Sequence, residues 1–72
     1  MFSRITINPN IMNGKACIRG LNITVSSVVA QVALGSPWEK ILTTFPGLEL
    51  GDIQQSLEYA AWLTSEEART ST

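Results

Sequence analysis

The chain has 72 residues, of which 44% are apolar and 15% are charged, and its net charge is −1. This composition predicts one globular domain with a single small core and excludes a disordered chain. Five basic against six acidic residues argue against binding nucleic acid by bulk electrostatic attraction, and the lack of histidine excludes catalytic pairs and metal sites built on it.

The first 24 residues are predicted to form an arm of short β-strands. Residues 4–7 alternate polar and apolar side chains, which is typical of a half-buried strand. Asn13 and Gly14 both tolerate positive φ and predict a tight turn, and residues 16–18 form a second strand after it. A third short strand is expected to begin at Ile23.

The first helix is predicted over residues 25–34. Thr24 can cap it, because a threonine hydroxyl accepts a hydrogen bond from a free amide of the first turn, and Gly35 is suited to end it. Valines favour strands, but their spacing here follows the helical period, which decides for a helix. The apolar face consists of Val25, Val28, Val29, Val32 and Ala33.

A second helix is predicted over residues 37–45. Ser36 and Glu39 have the spacing of a capping box, so Ser36 is expected to cap this helix. Pro46, followed by a glycine, ends it. Its apolar stripe consists of Trp38, Ile41, Leu42 and Phe45.

The third helix is predicted over residues 50–63, after a short break. Glu49 and Asp52 complement its positive start, and acidic residues in general are expected at helix starts and on solvent faces. Residues 64–72 have no apolar stripe and are predicted to be a flexible tail. The stripe of the third helix consists of Leu50, Ile53, Leu57, Ala60 and Ala61.

These elements predict a mainly α fold: a three-helix, homeodomain-like helix-turn-helix bundle with an N-terminal arm of short β-strands. The arm spans residues 1–24, the helical part residues 25–63 and the tail residues 64–72, all within one compact domain. The small core and the free strand edge in the arm predict a homodimer.

No group of residues indicates an enzyme, so we expect no catalytic residue, cofactor or metal. Cys17 has two interpretations, a buried strand residue or a reactive thiol, and the first is favoured because no base or helix start lies nearby in sequence. Gly14-Lys15 lacks the other residues of a phosphate loop. Without a secretory signal pattern or a membrane-spanning run, the protein is expected to be cytoplasmic.

The third helix carries two features that indicate binding. Tyr59 and Trp62 lie one turn apart on a side that should be wet, which suggests contact with another chain. The alternative is that the arm of the same chain covers them. Gln54 and Gln55 are residue types that can bind an adenine edge, and the alternative there is a solvated polar face.

Four runs of sequence, ITINP at 5–9, GKACIRG at 14–20, GSPWEKIL at 35–42 and FPGLELGDI at 45–53, resemble the domain-of-unknown-function family four-three-three. This resemblance implies a homeodomain-like three-helix fold with N-terminal strands. It also implies similarity to bacterial VapB-type antitoxins, small helix-turn-helix proteins that are often paired with a PIN-like ribonuclease toxin.

Two functions therefore remain open. The first is a DNA-binding, antitoxin-like regulator that acts as a homodimer on operator DNA, with helix three in the major groove. The second is a protein-interaction module that binds no nucleic acid. The predicted DNA-binding residues are Gln54, Gln55, Gly51, Lys40, Lys15 and Arg19. The predicted partner interface consists of Tyr59, Trp62, Arg4, Ile5 and Ile7.

Overall fold

A computed structural model describes residues 2–65 of the chain. Three helices and a two-stranded antiparallel sheet make up these residues, so the predicted mainly α class is confirmed. The predicted tail lies outside the described residues from residue 66 onward. In chain order the elements are β1 (Ile5–Ile7), β2 (Ala16–Ile18), α1 (Val25–Ala33), α2 (Trp38–Thr44) and α3 (Leu50–Leu63).

The two strands form a hairpin whose connection turns sharply at Met12–Gly14, a single 3-10 turn. Asn13 and Gly14 both have positive φ, 58° and 79°, as the sequence predicted for a tight turn. The predicted third strand at Ile23 is wrong in extent: Thr24 makes one isolated bridge to Cys17 and the chain then enters α1. The strand cannot continue past Thr24, because Thr24 caps α1 and the helix begins at the next residue, Val25.

The helix starts differ from one another in how their free amides are bonded. Thr24 caps α1 as predicted, with Oγ1 accepting from the Ser27 amide at 3.1 Å. The predicted capping box at Ser36 is wrong: α2 begins at Trp38 without a side-chain cap. Ser36 instead donates its hydroxyl to Gln31 Oε1 at 3.1 Å, which ties down the α1–α2 connection.

The core lies between α1 and α3, closed by β2 on one side and α2 on the other. Leu50, predicted to lie in the stripe of α3, is 58% exposed, and Leu48 is buried instead. The backbone at Glu49 is extended, and at this point of the chain Leu48 faces the core while Leu50 faces outward. The buried cluster consists of Ile18, Val25, Val28, Ile41, Leu48 and Ile53.

Ala61 also departs from the predicted stripe, since it is exposed near the end of α3. Cys17 is buried, with only 2% of its surface exposed, which agrees with its interpretation as a buried strand residue. Among residues 2–65, no helix is both long and apolar enough to cross a membrane.

Candidate functional site

An ion-pair cluster joins the N-terminal arm and β2 to the start of α3. At its centre is Asp52, whose side chain is fully buried. Arg4 Nη1 lies 3.0 Å from Asp52 Oδ1, and Arg19 Nη2 lies 2.8 Å from Oδ2. The amide of Glu49 donates to Oδ2 at 2.8 Å, and Glu49 Oε1 lies 2.9 Å from Arg4 Nη1. One buried carboxylate therefore binds two arginines and caps a helix.

The position of Asp52 in this cluster sets its protonation. Burial by itself raises the pKa of this carboxyl, because it disfavours the charged form. Hydrogen bonds from Arg19, the Glu49 amide and Arg4 outweigh burial and hold the pKa below its ordinary value of 3.8. Asp52 is therefore ionised at neutral pH.

The pKa values of the two arginines shift in the opposite direction, upward. The hydrogen bond to Glu49, followed by the one to Asp52, raises the pKa of Arg4, and the hydrogen bond to Asp52 raises the pKa of Arg19. Both arginines are therefore charged at neutral pH, and their charge is compensated by Asp52 and Glu49.

Three of the six predicted DNA-binding residues belong to this internal cluster. Arg19 binds Asp52 and also donates to the Gly47 carbonyl at 2.7 Å. Gln55 Oε1 accepts from the Arg4 amide. Gly51 lies under Arg4, since a Cβ at this position would come within 2.7 Å of Arg4 Cζ. Their role in DNA binding stays a prediction.

The other three predicted DNA-binding residues, Gln54, Lys40 and Lys15, are exposed on α3, on α2 and beside β2. Neither lysine forms a salt bridge within residues 2–65. Lys15 and Lys40 therefore provide the uncompensated positive charge in the described part of the chain.

The sequence pattern does not predict the burial of Asp52. Its predicted place at the start of a helix is confirmed, but an acidic residue at such a position is expected to be solvated. In a capping box, the side chain at the third helical position turns back toward the start of the helix. Asp52 has this position in α3. Because Arg4 and Arg19 flank strands that pair with each other, they approach this carboxylate from the same sheet, and only the strand register shows that.

A cluster of three aromatic rings lies on the outer side of α3. Phe2, from the arm, stacks edge-on against Tyr59 at a centroid distance of 5.1 Å and lies 5.7 Å from Trp62. Tyr59 and Trp62 are 6.0 Å apart. Tyr59 is half-buried, whereas Trp62 remains 53% exposed. The arm thus reaches both rings but leaves about half of the tryptophan surface exposed, and Phe2 is a member of the cluster that the sequence pattern did not indicate.

The other predicted interface residues lie on or beside β1. Ile5 packs against the core, and Ile7, directly opposite Ala16 in the hairpin, is 61% exposed. Arg4 belongs to the ion-pair cluster. Their role in binding a partner stays a prediction.

An apolar groove of about 590 Å³ runs between α1 and the C-terminal half of α3. Three alanines widen it, and Tyr59 links it to the aromatic cluster. Lys15, directly before β2, is its one charged residue. The groove is lined by Lys15, Ala16, Val25, Ser26, Val29, Ala30, Tyr59, Ala60 and Leu63.

The sequence model of the family described as Protein of unknown function (DUF433) matches residues 5–60. The chain belongs to the DUF433 family. A crystal structure of a DUF433 member from Anabaena variabilis superposes with a TM-score of 0.76 at 29% identity, covering 94% of this chain and 66% of that one. This chain therefore spans less than the full length of that DUF433 protein. No curated protein gives a significant match.

The DUF433 match includes most of the groove lining and the Asp52–Arg19 pair, both of which lie within residues 5–60. Phe2, Arg4, Trp62 and Leu63 lie outside it. Trp62, which has the largest exposed fraction of the aromatic residues, therefore lies beyond the segment that the family model covers.

Proposed function

We propose that this DUF433 chain is a non-enzymatic protein-interaction module whose binding surface is the apolar groove. The observation that carries this proposal is the groove itself, an open channel of about 590 Å³ with a single charged lining residue. Interface cores are depleted in charge and enriched in aromatic residues. An apolar surface of this kind is stabilised when another apolar group removes it from water.

The lining indicates the chemistry of the bound partner. The walls are two helices, so a third helix laid between them would pack as in the helix-in-groove mode, with apolar side chains three and four residues apart. The small side chains of Ala16, Ala30 and Ala60 leave room for two or three large apolar side chains. Lys15, at the rim, favours an acidic residue at the matching end of the partner.

Lysine footprinting tests this surface, because Lys15 and Lys40 are the two lysines of the chain and Lys40 lies on α2, away from the groove. When extract from the source cells is added, we expect the acetylation rate of Lys15 to fall several-fold while that of Lys40 stays unchanged. Leu63→Glu, in the groove, should abolish this protection. Leu34→Glu is the matched control, because Leu34 is 79% exposed and outside the groove.

Protection of Lys40 without Lys15 would contradict the groove proposal and would favour the second candidate. Unchanged rates at both lysines, with the extract present at high concentration, would also contradict it. A loss of protection in both leucine variants would show that the added charge acts on the fold rather than on the groove.

The second candidate is the DNA-binding, antitoxin-like regulator, with operator DNA and a PIN-like ribonuclease as partners. Its support is the α2–turn–α3 arrangement together with two exposed side chains, Gln54 near the start of α3 and Lys40 on α2. Against it, Arg4 and Arg19 are compensated by Asp52 and Glu49. Few phosphates could therefore be neutralised per chain.

For this candidate we expect weak DNA binding with a shallow salt dependence, a loss of about tenfold to a hundredfold between roughly 50 and 200 mM salt. Lys40→Glu should weaken binding to all sequences, whereas Gln54→Ala should act mainly at one base pair. The measurement is a fluorescence-anisotropy titration against DNA from upstream of the gene, with and without any co-encoded protein. If no binding appears at the lowest salt with that protein present, the regulator candidate fails.

A further inference from the structure

Two polar groups of the apolar groove share one of its ends. Cys17 forms an isolated antiparallel bridge with Thr24. In such a pair, the residues that precede one partner lie on the same side as the residues that follow the other. Lys15 and Ser26, each two residues from the bridge, are therefore on the same side of it, and both line the groove. This end of the groove thus has an ammonium group and a hydroxyl.

The rest of the groove is aliphatic apart from the ring of Tyr59. One turn further along α1 are Val29 and Ala30, and the α3 wall carries Ala60 and Leu63. These side chains can neither donate nor accept a hydrogen bond. Small-molecule sites have volumes of about 300–1,000 Å³ and are mainly apolar, with a few polar groups that orient the ligand. The groove, at about 590 Å³, fits this description.

We propose that the groove binds a single-chain aliphatic carboxylate, a free fatty acid. Its carboxylate lies at Lys15 and Ser26, and its alkyl chain follows the aliphatic part of the groove between α1 and α3. This inference goes beyond the proposed function, because the ligand is a small molecule that competes with the partner helix for the same groove.

The charge at the polar end matches a head group with one negative charge. Lys15 is the one charged residue of the lining and forms no salt bridge within residues 2–65. No acidic side chain lines the groove to repel an anion. A carboxylate is therefore compensated by Lys15, whereas a phosphate dianion would keep a charge without a partner.

The hydroxyl of Ser26 is available to the carboxylate. Thr24 Oγ1 lies 2.6 Å from Ser27 Oγ and 3.2 Å from Ser26 Oγ. When Ser27 donates to Thr24 and Thr24 donates to Ser26, the hydrogen of the Ser26 hydroxyl is left free. A carboxylate has two oxygens, so one can accept from Ser26 while the other lies beside the Lys15 ammonium.

NMR titration of the ¹⁵N-labelled chain with decanoate, below the concentration at which decanoate forms micelles, tests the site. We expect the amide signals of Ala16, Val29 and Ala60 to shift and that of Thr43, on α2, to stay constant. The affinity should rise about twofold to fourfold for each methylene added from octanoate to dodecanoate, because each methylene removed from water adds to the binding free energy.

The head group is tested separately from the chain. Decyltrimethylammonium, which has a similar chain and the opposite charge, should bind at least about tenfold more weakly than decanoate. Lys15→Gln should weaken decanoate binding about fivefold and leave the affinity for uncharged 1-decanol unchanged. Lys40→Gln is the matched control, because Lys40 lies on α2 outside the groove, and it should change neither affinity.

A variant that fills the groove tests where the chain of the ligand lies. Ala30 is an exposed residue of the lining, so a larger side chain there occupies the groove without entering the core. Ala30→Trp should abolish decanoate binding. Thr43→Trp, at an exposed residue of α2 outside the groove, should not. Circular dichroism confirms that both variants keep the helical content of the wild type.

An absence of shifts at the groove, equal affinities for the two head groups, or decanoate binding that withstands Ala30→Trp would overturn the proposal. Sedimentation of the chain with vesicles of an anionic phospholipid, without shifts by free decanoate, would also overturn it, because the ligand would then be a membrane. These titrations use the purified chain, so their failure does not affect the groove proposal for a partner helix. Protection of Lys15 that survives passage of the extract through a desalting column comes from a macromolecular partner, since free small molecules are removed.

Discussion

Asp52→Ala is expected to lower the free energy of unfolding by about 3 kcal/mol, a large share of the stability of a domain of this size. The change removes the acceptor for Arg4, Arg19 and the Glu49 amide at once. Breaking a buried ion pair costs about 3–5 kcal/mol. We expect the lower end, because the two arginine side chains keep 35% and 34% of their surface in water and can be resolvated.

Urea denaturation followed by circular dichroism measures this loss. Glu58→Ala is the matched control, since Glu58 is an exposed acidic residue on the same helix, and it should change stability by less than about 0.5 kcal/mol. Asp52→Asn retains an oxygen that can accept from the Glu49 amide but loses the charge, so it should fall between the two. Equal effects of Asp52→Ala and Glu58→Ala would contradict the role assigned to the cluster.

The same cluster predicts how stability depends on pH. The folded-state pKa of Asp52 lies below its ordinary value of 3.8. The contribution of Asp52 is therefore fully present well above pH 3.8, and it is lost as the pH falls through the folded-state pKa. Over that acidic range Asp52→Asn should lose less stability than the wild type, because it has no carboxyl to protonate at this position.

Tyr59→Ala and Trp62→Ala are expected to differ in effect although the residues lie one turn apart. Tyr59 packs against the core as well as against Phe2, so its truncation should cost the folded monomer about 2 kcal/mol. Trp62 is 53% exposed, so Trp62→Ala should lower the free energy of unfolding of the monomer by about 1 kcal/mol or less. Trp62→Ala should instead weaken dimer formation, by about 2 kcal/mol, if a second copy covers the ring.

Urea denaturation of both variants over a series of falling protein concentrations isolates the stability of the single chain, because any dimer dissociates on dilution. Sedimentation of Trp62→Ala in the wild-type background then measures association. If Trp62→Ala lowers the free energy of unfolding of the monomer as much as Tyr59→Ala does, Trp62 holds the arm against α3, and the prediction that Trp62 lies in an interface is wrong.

Local signals in the sequence predicted the elements of this fold. The valine spacing outweighed the strand propensity of valine in α1, and Thr24 caps that helix as expected. The end of α2 and the bounds of α3 follow from Pro46-Gly47 and the stripe after it. Such signals depend on residues within about one or two turns of one another, so they can be read directly from the sequence.

The binding hypotheses depended on contacts that sequence spacing does not show. Gln55 was predicted as a base-reading residue from its type, but its side-chain oxygen accepts from Arg4, 51 positions away. Ser36 has the spacing of a cap, yet it bonds to Gln31 on the preceding helix. A polar side chain with two available partners takes the one that folding brings closer, and that choice is a property of the assembled chain.

By itself, then, the sequence determined the three helices, the hairpin strands and the family, because period, caps and turn residues act locally. Only the tertiary structure decided that Asp52 is buried between two arginines, that Phe2 reaches Tyr59 and Trp62, and that an apolar groove stays open between α1 and α3. The physical reason is that burial and charge compensation depend on which elements meet. Here the strand register brings Arg4 and Arg19 to one carboxylate.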